Sequence, residues 1–140
     1  MMLKIFVDTD VIIDLLIDRK PFSEQAARII TLSDLKKIQV CVSTLTFANC
    51  YYVLKKYSSH SNVISKLSQL AEIVEIIDVT NKSIKAALSS EFKDFEDAIQ
   101  NETAKSDLKI NILVTRNIKD YQKSELSVLT PEEFLNSFNN

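Results

Sequence analysis

Apolar residues follow two alternating patterns along the chain, short runs and longer segments with helical spacing. The short runs, rich in branched side chains, predict strands at residues 3–7, 38–42, 73–79, 110–114 and 127–129. The segments between them predict a helix directly after residue 8 and helices at about residues 21–37, 44–54, 61–70, 81–90, 94–104 and 131–138. Because strands and helices alternate, we expect a three-layer α/β/α fold with a central parallel sheet of four to five strands.

The first predicted strand is apolar apart from one lysine, and it ends in Asp8. Such a strand is expected in the middle of a sheet that is covered on both faces, and ligands gather beyond the carboxyl ends of these strands. Thr9 and Asp10 are predicted to cap the helix that follows. The alternative is that Asp8 only ends a strand and Asp10 only caps a helix.

Other acids follow the same order of elements. Asp94 and Asp97 lie three apart in the first turn of a predicted helix, whereas Glu96 is predicted to point elsewhere. Asp120 follows the fourth predicted strand. Parallel strands end at one edge, so we expect Asp8, Asp97 and Asp120 to converge there. The alternative is a capping role for the helix acids and an ordinary loop position for Asp120.

Carboxylates that gather at one edge repel each other and persist where a cation binds. Hard divalent ions such as Mg²⁺ or Mn²⁺ prefer oxygen ligands. A site of this kind activates water and stabilises the oxygens of an in-line phosphodiester displacement. The acids therefore point to hydrolysis of a nucleic-acid backbone.

Composition narrows the alternatives. The 140 residues are 46% hydrophobic and 26% charged, which is typical of one globular domain, here residues 1–140. No apolar run approaches a membrane span, and the short segment before the first strand lacks a signal-peptide core, so we expect a cytoplasmic protein. Glycine is absent, which argues against phosphate-binding loops. The net charge of −2 gives no global field that would attract nucleic acid.

Four segments, taken together, carry a family resemblance. They are residues 6–14 (FVDTDVIID), 42–46 (VSTLT), 94–98 (DFEDA), and 113–117 (LVTRN) with 119–121 (KDY). In their order and spacing the chain resembles the PIN-domain family, small metal-dependent ribonucleases that include the VapC-type toxins of toxin–antitoxin pairs. The resemblance extends over nearly the whole chain.

The resemblance implies roles for individual residues. Asp8 and Asp97 would be the core metal ligands, and Thr115 would support the site. Asn117 and Asp120 would share the role of the last acid. The resemblance also implies Mg²⁺ or Mn²⁺ as cofactor, an RNA substrate and an antitoxin protein as partner.

The chain departs from the family pattern at two positions. The family usually has glutamate where Asn49 stands, one turn into the third helix, and often has aspartate at the position of Asn117. An asparagine offers a neutral oxygen but no charge, so we expect weaker metal binding. Asp10 and Asp94 are the candidates to compensate. The alternative function is a PIN-like module that binds RNA or a protein partner without cleavage.

A third alternative is an α/β module of the response-regulator kind, which also gathers acids after its first strand. It needs a phosphate-accepting aspartate after the third strand, and Asp78 is a poor match.

Two surface properties are also predicted. Four basic side chains are expected to guide an RNA backbone: Lys55, Lys56, Arg116 and Lys119. The third helix carries more aromatic surface than its own core needs, which predicts a homodimer through Phe47, Tyr51, Tyr52 and Tyr57.

Overall fold

The computed structural model describes residues 2–138. The strands are β1 Leu3–Val7, β2 Ile38–Ser43, β3 Glu75–Ile77, β4 Ile110–Val114 and β5 Ser127–Leu129. The helices are α1 Thr9–Leu16, α2 Phe22–Asp34, α3 Thr44–Leu54, α4 His60–Ile73, α5 Asn81–Leu88, α6 Phe95–Lys105 and α7 Pro131–Phe138. A 3₁₀ turn, Ile118–Tyr121, lies between β4 and β5.

The strands form one parallel sheet in the order β3-β2-β1-β4-β5. β1 is the central strand, and its last three residues are fully buried. The predicted parallel sheet is therefore confirmed, and all carboxyl ends of its strands lie at one edge.

Alternate side chains of β1 belong to two different cores, because successive residues of a strand point to opposite faces. Ile5 and Val7 pack in a core with buried residues of α1, α2, α3, α4 and α7. Phe6 packs on the other face with Ala104 of α6 and Tyr121, and α5 packs against α6. These helices complete the three layers that the sequence predicts.

Several element boundaries differ from the prediction. α2 ends at Asp34, short of residue 37, because Lys36 adopts a left-handed conformation with φ of 60° that a helix cannot continue through. α4 extends to Ile73, so β3 begins only at Glu75. α5 ends at Leu88, two residues earlier than expected.

The residue that caps α1 is the acid that directly follows β1. Asp8 caps α1, since its Oδ1 accepts a hydrogen bond from Thr9 N at 2.8 Å, and the prediction that Thr9 or Asp10 caps this helix is wrong. Ser43 caps α3, and Asp94 caps α6, which is the role that the sequence offered as an alternative for the helix acids. One carboxylate thus ends β1 and starts α1.

Ala48 and Tyr52 of α3 are exposed. The buried stripe of this helix runs through Thr46, Cys50 and Leu54, and Tyr52 lies on the opposite side.

None of the helices within residues 2–138 combines the length and the apolar character needed to cross a membrane.

The exposed tyrosines give the homodimer prediction a specific test. Tyr52 and Tyr57 are 72% and 73% exposed, and we expect them to be buried between two copies of the chain, because large aromatic side chains stabilise interfaces. Light scattering should give a dimer mass, and the double variant Tyr52→Ala, Tyr57→Ala should give a monomer. Leu108→Ala, at a 92% exposed residue outside α3, is the control. A monomer at every accessible concentration of the wild type contradicts the prediction.

Candidate functional site

Asp8 occupies the end of the central strand with its carboxylate almost completely buried, at 6% exposure. Thr9 N donates to its Oδ1 at 2.8 Å, and the Thr115 hydroxyl donates to its Oδ2 at 2.9 Å. Its backbone N–H donates to Val114 O at 2.9 Å, which links it to the end of β4. Burial raises the pKa of Asp8 because water no longer stabilises the charged form, and these donors offset only part of that effect.

Asp10 lies one residue into α1 and faces the loop after β4. Its Oδ2 accepts hydrogen bonds from Arg116 N at 3.2 Å and from Asn117 Nδ2 at 3.1 Å. Its Oδ1 is buried and has no hydrogen-bond partner. Burial and the charge of Asp8 raise the pKa of Asp10 to about 7. Such an unpaired buried oxygen is costly unless something else binds it.

Asp97 faces Asp8 from the first turn of α6. Its backbone N–H is held by the capping Asp94 Oδ1 at 2.9 Å, and the Tyr121 hydroxyl donates to its Oδ1 at 3.4 Å. Burial, together with the charges of Asp8, Asp94 and Asp120, raises the pKa of Asp97 to about 7. Asp97 therefore lies within range of the charges of these three acids.

Asp120 lies exposed in the 3₁₀ turn at the rim of this region, where its backbone N–H donates to Asn117 O at 3.0 Å. The structure therefore brings the predicted acids to one edge but not into contact. Across residues 2–138, no three Asp, Glu, His or Cys side chains are close enough to form a metal-binding group. Like-charged carboxylates without a counterion are expected to stay apart, because their repulsion is strong where water is scarce.

The donors at this edge fit a hard divalent cation. They are carboxylate oxygens, with asparagine and threonine oxygens beside them, and they include the unpaired Oδ1 of Asp10. Burial and neighbouring acids raise the pKa values of Asp10 and Asp97, so a bound cation would stabilise their charged forms. Oxygen donors with uncompensated charge are the ligands that Mg²⁺ and Mn²⁺ prefer.

Asn49 has an acid as its neighbour. Its Nδ2 donates to Glu96 Oε1 at 3.5 Å, so the carboxylate of Glu96 reaches across from α6 to α3. Helical spacing predicts that Glu96 is directed differently from Asp97, but it does not predict the contact with Asn49. The sequence pattern of one helix does not indicate which residues of another helix it contacts.

Three of the four predicted RNA-binding cations lie away from the acids or have other partners. Arg116 binds the buried carboxylate of Asp14 through Nε at 2.6 Å and Nη2 at 3.2 Å, and its guanidinium lies 4.2 Å from the centroid of the Phe22 ring. Lys55 and Lys56 follow the far end of α3, about 16 Å from its start at a rise of about 1.5 Å per residue. Because the guanidinium of Arg116 binds Asp14, this side chain has a structural role.

Lys119 is the exception, since it lines a cavity next to the acids. The cavity has a volume of about 110 Å³ and is lined in part by Asp94 and Asp120. Lys93 and Lys123 also line it. The sequence analysis did not predict a role for these two lysines. Lys93 precedes α6 and Lys123 follows the 3₁₀ turn, so neither belongs to a helix or strand whose pattern would indicate its position.

Two further residues at the site were missed by sequence reasoning. Gln100 is buried beside Asp8, and Tyr121 is buried beside Asp97. Burial and the charges of Asp8 and Asp97 raise the pKa of Tyr121 above its usual range, so its hydroxyl stays protonated and donates. A helix glutamine and a turn tyrosine are ordinary surface residues by pattern, and only the fold buries them here.

A comparison with known families identifies the family of the chain. A family model described as "PIN domain" matches residues 4–119. The chain belongs to the PIN-domain family. Ribonuclease VapC1 of Aquifex aeolicus is 31% identical to this PIN-domain chain, and the match covers 97% of the chain and 96% of the relative. The resemblance stated from the sequence is thus confirmed.

Solved structures agree with this assignment of the fold. A toxin–antitoxin complex from Klebsiella pneumoniae contains a chain that is 25% identical, with a TM-score of 0.67 and coverage of 90% of this chain and 96% of that one. A chain of the DNA-bound VapBC complex from Salmonella typhimurium has a TM-score of 0.68 at 17% identity, covering 93% of this chain and 99% of that one. The second likeness concerns the fold alone.

The raised pKa values predict how stability depends on pH in the metal-free protein. Asp10 and Asp97 have folded pKa values of about 7, above those of the unfolded chain, so the folded state binds their protons more tightly. Their contribution to stability is present at low pH and is lost as pH rises through about 7. We expect the melting temperature to fall between about pH 5 and about pH 8, and to fall less in Asp10→Asn.

Differential scanning calorimetry in a chelating buffer measures this dependence. Glu132→Gln, which removes an exposed carboxylate in α7, is the control and should keep the wild-type profile. If Asp10→Asn and the wild type lose the same stability over this range, Asp10 does not carry an uncompensated charge.

Proposed function

We propose that this protein is a metal-dependent endoribonuclease that cleaves RNA phosphodiester bonds and acts as the toxin of a toxin–antitoxin pair. The proposal is supported by membership of the PIN-domain family and by the likeness to a protein named Ribonuclease VapC1. The observation that carries it is the carboxyl edge of the sheet, where the buried Asp8 and the half-buried Asp10 flank the Thr115 hydroxyl and the charge of Asp8 acts on Asp97.

Asp8, Asp97 and Asp120 are the proposed ligands of Mg²⁺ or Mn²⁺, with Asp10 and Asp94 as auxiliary acids. When bound, the cation would supply the activation of a water molecule and the stabilisation of charge on the phosphodiester oxygens. Apart from the cation, every group of the proposed site is a residue of this chain.

The neutral residues at the site hold the acids in place. Thr115 donates to Asp8 Oδ2 and, at 3.4 Å, approaches Asp10 Oδ2. Its hydroxyl also accepts from Asn117 N at 3.0 Å, and Asn117 in turn donates to Asp10. These bonds keep both carboxylates turned toward the same space without adding positive charge, which leaves the acids available for a cation.

RNA is proposed to pass over the cavity beside Asp120. Lys93, Lys119 and Lys123 line this cavity next to two of the acids, and a phosphate backbone needs cations close to the point of cleavage. Lys55 and Lys56 would contact RNA only farther along its path. An antitoxin protein is the proposed partner, supported by the likeness to the toxin–antitoxin complex from Klebsiella pneumoniae.

Asn49 determines how active the site can be. It lies one turn after Thr46 on α3, and the Thr46 hydroxyl is 2.9 Å from the Thr9 hydroxyl at the start of α1. Asn49 thus adds a neutral amide where a carboxylate would have added charge. We expect cleavage to need high Mg²⁺ or Mn²⁺.

Two substitutions test the catalytic role of the acids. Asp8→Asn should abolish cleavage of structured and single-stranded RNA, because it removes the buried charge at the centre of the site. Asn49→Glu should tighten Mn²⁺ binding by about tenfold or more, since the charge of the ligand set tunes affinity strongly. Isothermal titration calorimetry measures the second effect, and a gel assay across metal concentrations measures the first.

Asp34→Asn, at the exposed end of α2, is the control for both assays and should behave as the wild type. If the wild type cleaves no RNA and Asn49→Glu leaves metal binding undetectable, the nuclease proposal fails. The alternative, a PIN-like module that binds RNA or a partner without cleavage, then replaces it.

The proposed RNA path is tested by two matched pairs of lysines in the Asp8→Asn background, which prevents cleavage. Lys93→Ala, Lys119→Ala should weaken RNA binding and reduce the slope of log affinity against log salt by about 1.4, the value expected for two lost phosphate contacts on a single strand. Fluorescence anisotropy at several salt concentrations gives this slope. Lys55→Ala, Lys56→Ala should have the smaller effect, and the opposite order would exclude the path over the cavity.

A further inference from the structure

Gln100 lies buried at the floor of the site, with 2% exposure. Its amide nitrogen Nε2 is 3.0 Å from Thr9 Oγ1 and 3.2 Å from Thr46 Oγ1. The same nitrogen lies 3.5 Å from Asp8 Oδ1. Its amide oxygen accepts a hydrogen bond from the Ser43 hydroxyl. Both ends of the amide are therefore occupied by residues that surround Asp8.

These contacts join the N-terminal ends of α1 and α3 to the middle of α6. Asp8 caps α1 and Ser43 caps α3, and Gln100 of α6 contacts both of these capping residues. Asp97 precedes Gln100 by three residues, so the two side chains lie on the same side of α6. The amide of Gln100 thus connects α6, and Asp97 with it, to the residues around Asp8.

The amide is not explained by packing alone. The nearby residues Ala98, Ile99 and Ala104 of α6 are buried and apolar. A leucine has a volume close to that of glutamine and would fill the same space without the cost of burying an amide. A hydrogen-bonded buried amide adds little net stability, but it fixes geometry.

We propose that Gln100 is a positioning residue that sets the orientation of the Asp8 carboxylate and the separation between Asp8 and Asp97. This inference rests on the proposed function, in which the two carboxylates bind one cation. Loss of a residue that orients metal ligands typically lowers metal affinity by about 10-fold to 100-fold. We expect a loss of that size when the amide of Gln100 is removed.

The test compares Gln100→Leu with Asn101→Leu. Asn101 is the next residue of α6, is equally buried at 2% exposure, and accepts a hydrogen bond from the Ser124 hydroxyl at 2.6 Å instead of contacting Asp8. Both variants lose a buried amide, but only Gln100→Leu loses one beside the acids. Calorimetric Mn²⁺ affinity of the folded protein is one measurement, and crystal structures of the metal-free variants are the other.

In Gln100→Leu we expect Mn²⁺ affinity to fall at least tenfold and the Asp8 and Asp97 carboxylates to move apart or rotate, while Asn101→Leu retains both wild-type properties. Unchanged carboxylates and affinity in Gln100→Leu, or equal losses in the two variants, overturn the proposal. If Gln100→Leu does not fold, Thr46→Val removes one partner of the amide at nearly constant volume and should change the same two measurements in the same direction; no change overturns it.

Failure of the proposed function gives a different result. If the wild type binds no Mn²⁺, the proposed metal site is wrong. The metal-free crystal structures still decide whether Gln100 positions the two carboxylates.

Discussion

The Asp8 carboxylate follows the central strand of the sheet and is itself buried, so water contributes little to stabilising its charge. Neutral groups donate hydrogen bonds to this carboxylate. They are the backbone N–H of Thr9, the Thr115 hydroxyl and, at a longer distance, the Gln100 amide. None of them cancels the charge. The fold therefore tolerates a buried carboxylate whose pKa is raised, with two more acids nearby.

Arg116 lies near this edge, but its guanidinium binds another acid. Arg116 follows Thr115 directly, yet its guanidinium binds Asp14 and lies over the ring of Phe22. An arginine paired with Asp8 or Asp10 would have neutralised the site and made it a structural ion pair. Because Asp14 binds that arginine, the carboxylates at the edge remain available for an external cation, as the proposed metal-dependent nuclease requires.

Four separate segments of the chain supply the acids and the residues that hold them in place. The start of α1 supplies the carboxylates of Asp8 and Asp10, the loop after β4 supplies Thr115 and Asn117, and α6 supplies Asp97. The start of α3 supplies hydroxyl groups that contact Gln100. A site assembled this way depends on the parallel sheet, since its strands bring these segments to a common edge.

The sequence by itself determined the strands, most helix positions, the parallel sheet and the family, because these follow from periodic patterns and from residue order within short segments. It also placed Asp8, Asp97 and Asp120 at one edge. Only the tertiary structure decided which side chains meet: Arg116 with Asp14 across 102 residues, Gln100 with Asp8 across 92, and Asn49 with Glu96 across 47. Such pairs depend on how helices pack against the sheet, and neither partner carries a local signal of the other.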